Sequence, residues 1–204
     1  MDIIEETYNW AYDLEIRYIT GYIILHHAAA SSCTAQDIHR WHLNNGWAGI
    51  GYHFFVAKDG KVYRGRPADT VGAHTYGYNN RSIGICAEGD YVYDIMPAQQ
   101  KASIVALCKV LLATYKSAAV YGHRELNATE CPGANFPLEA IKEEVLNVFK
   151  DVPANHWAAD YINYLAQKGV IVGDEQGNFG LGKPMLREEM AVVLAKTIKL
   201  LENK

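Results

Sequence analysis

The sequence predicts an α/β domain with a mixed central β-sheet flanked by helices, followed by a small α-helical module. Continuous apolar runs of strand length, bounded by glycine, loop or charged residues, occur at Gly21–His27 and Ser82–Ala87. A longer segment, Pro97–Tyr115, carries apolar residues at helical spacing. The pattern breaks at Phe149–Pro153, and a different arrangement of apolar residues follows. We therefore expect a sheet-containing domain before the break and a helical unit after it.

Local signals predict the elements near the start of the chain. Residues 1–20 show no clean periodicity and are interpreted as an arm that packs on the domain. Thr34 followed by Asp37 is a capping-box arrangement, which starts a helix that ends near the Asn-Gly pair at 45–46. Its predicted apolar face uses Ile38 and Trp41.

Further strands and a helix follow from turn chemistry and spacing. Ile50–Ala57 and Lys61–Arg66 are predicted to form a hairpin, because the Asp-Gly pair between them favours a tight turn. Ala118–Tyr121 is predicted to be a short strand, and Pro137–Phe149 a helix.

Composition narrows the classes of function. Half of the 204 residues are hydrophobic, and the net charge of −4 gives no reason to expect binding to nucleic acid or an anionic membrane. No stretch approaches the length of an apolar membrane span, and the acidic start Met1–Glu6 predicts no signal peptide. Four cysteines are too few for a disulfide scaffold, so Cys33, Cys86 and Cys108 are expected to be free thiols.

One segment combines two kinds of metal ligand. His123 and Cys131 lie eight positions apart in a polar stretch without strand or helix periodicity. Imidazole nitrogen and thiolate sulfur are ligands that Zn²⁺ prefers, and the adjacent His26 and His27 offer a third. Neighbouring strand residues face opposite sides, so only one of these two histidines can join. Three protein ligands would leave a position for water, as in catalytic zinc sites. The alternative is a histidine and a cysteine that are packed or exposed without a metal.

Four motifs occur in order along residues 20–147. They are Ile24-Leu25-His26-His27, Gly51-Tyr52-His53-Phe54, Gly72-Ala73-His74-Thr75-Tyr76-Gly77-Tyr78-Asn79 with Arg81-Ser82-Ile83-Gly84-Ile85, and Gly122-His123-Arg124 with Cys131-Pro132-Gly133. In order and spacing they resemble the zinc amidase family that includes phage T7 lysozyme and the peptidoglycan recognition proteins. The resemblance implies a Zn²⁺ site formed by His26, His123 and Cys131, with His27 in a structural role.

The resemblance also implies two assisting residues. The sequence has no His-Glu-x-x-His motif, so the usual glutamate base of zinc proteases is absent. Tyr52 matches the tyrosine that assists water in this family, and a phenol of pKa about 10 is better suited to orienting water than to removing its proton. Thr129 stands where amidase-active recognition proteins carry threonine and T7 lysozyme-like members carry lysine. Its hydroxyl can donate to an oxyanion. Alternatively, Thr129 caps its own backbone.

The loop Ala68–Arg81 is rich in glycine, tyrosine and asparagine, and loops on a rigid sheet are where sites are built. The resemblance places four of its residues along the groove that binds the muropeptide: His74, Tyr76, Asn79 and Arg81. Arg81 can pair with a stem-peptide carboxylate, and the alternative is an exposed salt bridge. His39 and His42 are three apart on the predicted helix and are interpreted as surface or substrate-side residues.

The last part of the chain carries a second set of motifs, in residues 151–204. They include Asp151-Val152-Pro153, His156-Trp157-Ala158, Gly177-Asn178-Phe179 and Arg187-Glu188-Glu189. Together they resemble one surface-layer homology motif, which implies a helix, a glycine-rich turn and a helix. We expect these residues to form one core: Trp157, Ile162, Leu165 and Val170 against Phe179, Met190, Val193 and Leu194. The predicted domains are therefore residues 1–149 and 150–204.

Such modules usually occur in threes and bind secondary cell-wall polysaccharide. In this chain the threonine that usually precedes Arg187 is replaced by Leu186, which weakens the case for a sugar site. A unit of this size also has a marginal core of its own. We therefore expect self-association through residues 151–204.

These observations predict a peptidoglycan hydrolase of the endolysin type that cleaves the amide between N-acetylmuramic acid and L-alanine with zinc-activated water. Without a signal peptide, it is expected to be made in the cytoplasm and to act on the cell wall after release. The alternatives are a non-catalytic peptidoglycan-recognition module and a cytoplasmic muropeptide-recycling amidase. Members that only bind typically lack the zinc cysteine, whereas Cys131 is present, and a wall-binding tail argues against recycling.

Overall fold

The structure is a computed structural model that describes residues 1–153 and 155–202. It divides into two compact units, residues 1–142 and 143–204. This division falls within a helix, whereas the predicted boundary follows residue 149, so the domain limits stay a prediction. Among the described residues, no helix is both long and apolar enough to cross a membrane.

A six-stranded sheet forms the centre of the first unit. In chain order its strands are β1 Ile3–Ile4, β2 Tyr22–His27, β3 Phe54–Val56, β4 Val62–Arg64, β5 Ser82–Ala87 and β6 Ala119–Gly122. Across the sheet the order is β1-β4-β3-β5-β2-β6. β3 and β4 are antiparallel and all other neighbouring strands are parallel, which confirms the predicted mixed sheet.

The two central strands are apolar because both of their faces are covered. Every residue of β5 is buried, and Ile23, Ile24 and Leu25 of β2 are fully buried. β2 and β5 pair in parallel from Tyr22 to His27, so His26 lies at the carboxyl end of β2. In parallel sheets this edge is where binding sites form.

Three helices accompany the sheet: α1 Ala35–Asn44, α2 Ala98–Thr114 and α3 Leu138–Leu146. The predicted start of α1 is confirmed, since Thr34 and Asp37 form a complete capping box. The predicted core-facing stripe of α2 has five residues; Ile104, Leu107, Cys108 and Leu111 are buried, and Leu112 is half-buried.

The inner face of α1 differs from the prediction. Trp41 is 37% exposed, whereas His39, predicted to be a surface or substrate-side residue, is 6% exposed. His39 turns inward because the rings of Tyr8 and Trp10 cover it, with centroids 4.8 and 5.4 Å away. The arm therefore packs on the domain as expected.

The arm also adds a strand that was not predicted. Ile3 and Ile4 pair in parallel with Val62 and Tyr63 of β4. A strand of two residues has no periodicity, so sequence patterns cannot reveal it.

The predicted hairpin is present, but its strands are shorter. Gly60 has a φ of 85°, which allows the tight turn between β3 and β4. Ile50 and Gly51 lie outside β3 because their N–H groups donate to ring nitrogens of His39 and His42 instead of to another strand.

The second unit contains α4 Ala159–Gln167 and α5 Arg187–Glu202. Its buried core consists of Phe149, Val152, Ala159, Ile162, Val170 and Ile171. Val193 of α5 packs against this core, but Met190 and Leu194 are exposed and Trp157 is 82% exposed, so the predicted core is wrong at these three positions. The core is too small to cover both apolar helices.

Candidate active site

Three candidate metal ligands meet at the carboxyl ends of β2 and β6. Ligand atoms of His26, His123 and Cys131 all lie within 4.8 Å of one another. His26 Nδ1 is 3.6 Å from Cys131 Sγ. Zinc bonds of about 2.3 Å to sulfur and 2.0–2.1 Å to nitrogen, at a tetrahedral angle, separate the two ligand atoms by roughly 3.5 Å. The donor set and its spacing therefore fit a zinc ion.

The local fold brings these residues together. Leu25 of β2 pairs with Gly122 of β6, so His26 and His123 follow at the same level of the sheet. A Cβ atom at position 122 would meet Leu138 Cδ2 at 2.5 Å, so any larger residue there would require the Leu138 side chain to move. The Cys131 loop is closed by Arg124, whose backbone N–H donates to the Cys131 carbonyl at 2.8 Å. This contact fixes Cys131 near His123.

The second ring nitrogen of His123 has its own partner. His123 Nε2 lies 3.2 Å from Asn127 Oδ1, and Asn127 Nδ2 donates to the Tyr76 carbonyl at 3.4 Å. With Nε2 donating to Asn127, Nδ1 keeps the lone pair that a metal ligand needs. Asn127 was not singled out in the sequence. Its only signal there is a carboxamide four positions after a candidate ligand.

His27 lies outside the ligand group. Its Nδ1 accepts the backbone N–H of Tyr91 at 3.1 Å and is 3.7 Å from an Asp90 carboxylate oxygen. Adjacent strand residues face opposite sides, so the side chain of His27 points away from that of His26.

Burial sets the protonation of the ligand group. It lowers the pKa of His26 well below its usual value and also lowers that of His123. Both imidazoles are therefore neutral at pH 7 and able to donate a lone pair. Burial raises the pKa of Cys131 to about 12, so the thiol keeps its proton until a cation replaces it.

The two predicted assisting residues line one cavity with two of the three candidate ligands. Tyr52 and Thr129 border a cavity of about 540 Å³ together with His123 and Cys131. Burial raises the pKa of Tyr52 well above its usual value, which keeps the phenol protonated as a hydrogen-bond donor. The Thr129 hydroxyl accepts the backbone N–H of Cys131 at 3.3 Å, the backbone-capping arrangement that was the alternative.

The predicted groove residues occupy different surroundings. His74, Tyr76 and Asn79 border a second cavity of about 570 Å³, together with Trp47. Tyr76 is 89% exposed, but Asn79 Oδ1 already accepts the backbone N–H groups of His74 and Thr75, each at 2.8 Å. Asn79 therefore holds its own loop.

His74 and Arg81 are less available to a ligand than expected. His74 is 9% exposed and contacts His26. The Arg81 guanidinium lies over the rings of Tyr22 and Tyr78, at 5.4 and 4.9 Å from their centroids. Arg81 comes directly before Ser82, the first residue of β5, whereas His26 pairs with Cys86 near the other end of that strand. Arg81 borders neither cavity.

Comparison with known proteins assigns both parts of the chain. Residues 17–134 match the N-acetylmuramoyl-L-alanine amidase family, and residues 148–191 match the S-layer homology domain. The chain is 35% identical over 125 residues to the endolysin of Escherichia phage T7, covering 57% of this chain and 82% of that protein. It is also 35% identical over 131 residues to peptidoglycan-recognition protein SC2 of Drosophila melanogaster, covering 56% and 69%.

A solved structure extends the likeness to the fold. The amidase LysC from Clostridium intestinale matches with a TM-score of 0.68 and 41% identity, covering 70% of this chain and 95% of that chain. The family match spans more than half of the residues and includes every candidate metal ligand. The chain thus belongs to the N-acetylmuramoyl-L-alanine amidase family.

Proposed function

We propose that this chain is a zinc-dependent peptidoglycan hydrolase that cleaves the amide between the lactyl group of N-acetylmuramic acid and L-alanine. The observation that carries the proposal is the convergence of His26, His123 and Cys131. Two of them, His123 and Cys131, border a cavity together with Tyr52 and Thr129. A histidine, histidine and thiolate set with space beside it is typical of catalytic rather than structural zinc.

The protein supplies the charge balance of this site. Held by His26, His123 and Cys131, Zn²⁺ would polarise an amide carbonyl and would lower the pKa of water to about 7, supplying hydroxide at neutral pH. His26 and His123 contribute neutral nitrogens, and Cys131 contributes one negative charge as the thiolate. The ligand set therefore leaves a net positive charge, which favours the oxyanion formed when the amide is attacked.

Tyr52 and Thr129 supply hydroxyl groups beside the ligands. The ring of Tyr52 lies 5.0 Å from that of His26, and its protonated phenol can orient water or donate to the developing oxyanion. Thr129 is exposed and keeps its hydroxyl proton while accepting from Cys131 N–H, so it can donate to substrate at the same time.

The muropeptide is proposed to extend from the ligand cavity towards Tyr76. Tyr76 offers an exposed aromatic face at the rim of the second cavity, and the Trp47 ring borders the same space. Aromatic rings at a groove rim suit contact with sugar and peptide. His74 and Asn79 border the groove mainly through the loop that they stabilise, and Arg81 would reach a stem-peptide carboxylate only by leaving its tyrosine rings.

The second unit is proposed to attach the enzyme to the cell wall and to self-associate. Its match to the S-layer homology domain favours binding of secondary cell-wall polysaccharide. Helix α5 contains no buried residue among those described, and it exposes five large apolar side chains: Met190, Val192, Leu194, Ile198 and Leu201. Such a face is better covered by another copy than left in water. Peptidoglycan is the proposed substrate, and the enzyme is proposed to act on the cell wall after its release.

Analysis of the digestion products tests this function. Purified peptidoglycan treated with the protein should gain free amino groups on L-alanine and no new reducing sugar ends. Cys131→Ser, treated identically, should release neither. New reducing ends would indicate a glycosidase, and zinc-loaded protein that binds walls without releasing amines would indicate a recognition protein.

A further inference from the structure

The candidate ligand His26 contacts a second histidine through the ring nitrogen that does not face Cys131. His26 Nδ1 faces Cys131, and its other ring nitrogen, Nε2, lies 3.0 Å from Nδ1 of His74. The two rings meet edge to face, with centroids 5.0 Å apart and an interplanar angle of 82°. Both side chains are buried. This inference rests on the proposed zinc site and concerns how its first ligand is oriented.

The tautomers of this pair follow from metal binding. If His26 binds through Nδ1, its ring proton must be on Nε2, which then donates to His74. Two N–H groups cannot face each other at 3.0 Å, so His74 Nδ1 must be the acceptor. The proton of His74 is then on Nε2, which lies 3.3 Å from the Ser82 hydroxyl oxygen, an acceptor. Each nitrogen thus has a consistent role.

The fold provides space for the His74 ring at this place. A Cβ atom on Gly84 of β5 would meet the ring at 2.6 Å, and one on Gly72 would meet it at 2.5 Å. Gly84 therefore leaves room on a sheet face that is otherwise covered by side chains, and Gly72 does the same in the preceding loop. Thr75 Oγ1 lies 2.9 Å from His74 Nδ1 and 3.3 Å from His26 Nε2, and closes the remaining side.

We propose that His74 is a positioning residue, which fixes the ring orientation and the tautomer of His26 for zinc binding. Ser82 extends the chain of hydrogen bonds by accepting from His74. In this arrangement His74 acts through His26 and needs no contact with the muropeptide. Its substitution should therefore weaken zinc binding before any substrate is present.

Zinc affinity of the full chain, measured by competition with a chelator, tests the proposal. Replacing a partner of this kind typically lowers metal affinity by about 10–100-fold. We expect that loss in His74→Leu, which has no acceptor. His74→Asn should recover part of the affinity, because its carboxamide oxygen can take the place of Nδ1. Ser82→Ala keeps both rings and should weaken binding less, and it remains informative if His74→Leu fails to fold.

His39→Leu is the matched control. His39 is also buried, accepts Ile50 N–H at Nδ1 and contacts the Asn9 carbonyl at Nε2, and its ring packs against Tyr8 and Trp10 and not against a candidate ligand. It should lower the unfolding free energy without lowering zinc affinity. Equal zinc affinity in wild type, His74→Leu, His74→Asn and Ser82→Ala would overturn the proposal. A wild-type protein that binds no zinc would overturn the zinc site itself and this inference with it.

Discussion

Histidines in the first unit differ in what their two ring nitrogens contact. His39 and His53 each accept a backbone N–H at Nδ1 and face a backbone carbonyl with Nε2. His26 and His123 each place one nitrogen beside a protein acceptor and have the other available in the ligand group. Residue type alone does not separate these roles. Motif order predicted the candidate ligands that the structure brings together, but the inward position of His39 depends on ring contacts from an arm distant in sequence.

The Tyr52 hydroxyl is expected to act on the reaction and not on the metal. Tyr52→Phe should retain zinc but lower turnover by about 10²–10³-fold, because one preorganised donor is lost. Thr129→Ala should have a milder effect of the same kind, since its hydroxyl also serves the backbone of Cys131. Hydrolysis rates on soluble muropeptides, paired with zinc content, measure both. Wild-type rates in both variants would place the assisting groups elsewhere.

At the scale of elements, a continuous apolar run and a capping box each predicted their element well. Strand β5 has the predicted limits, and α1 begins at the predicted cap. The short β1 was not predicted, because it depends on long-range pairing. Uncovered apolar surface was expected in the second unit, but Met190 and Leu194 of α5 were assigned to its core and are exposed. The contact of His74 with His26 was not predicted for a similar reason, since it depends on the space that Gly84 leaves for the His74 ring.

Asp151 is expected to hold the start of the second unit together. Its carboxylate accepts the backbone N–H groups of Phe179, Gly180 and Leu181, at 2.6, 2.7 and 2.9 Å. Asp151→Ala removes this acceptor for three donors, so the turn should open more often. Hydrogen exchange at residues 179–181 should become faster, while exchange in β2 and β5 stays unchanged. Unchanged protection at 179–181 would show that other contacts hold the turn.

For the whole molecule, buried neutral histidines should make the metal-free protein sensitive to acid. Burial lowers the pKa of His53 to about 3 and that of His42 to about 4. Below pH 6.5 the unfolded chain binds protons at these rings and the folded chain does not, so stability falls as pH decreases towards the folded-state values. His53 alone should contribute a slope of about 1.4 kcal/mol per pH unit in this range.

Urea unfolding of chelator-treated protein between pH 7.5 and pH 5 measures this effect. The unfolding free energy should be nearly constant above pH 7 and should decrease steadily below pH 6.5. His53→Asn should reduce the slope. The same free energy at pH 7.5 and pH 5 would contradict the neutral state of these rings.

The two units are expected to separate wall attachment from catalysis. Truncation after Lys150 should leave hydrolysis of soluble muropeptides nearly intact and weaken action on whole walls, because avidity from associated copies is lost. Light scattering should give a full-length particle larger than the 22.8 kDa chain and a monomeric truncated protein. A full-length monomer at tens of micromolar would rule out self-association, and equal action on whole walls would rule out attachment.

Zinc content is the most direct test of the central claim, that His26, His123 and Cys131 form the metal site of this amidase. Elemental analysis after dialysis should give about one zinc ion per chain for wild type and almost none for Cys131→Ser, because a three-ligand site loses its only anionic ligand. His27→Ala should keep its zinc, since His27 is not in the ligand group and its Nδ1 accepts the backbone N–H of Tyr91. Full zinc and activity in Cys131→Ser, with both lost in His27→Ala, would contradict the account.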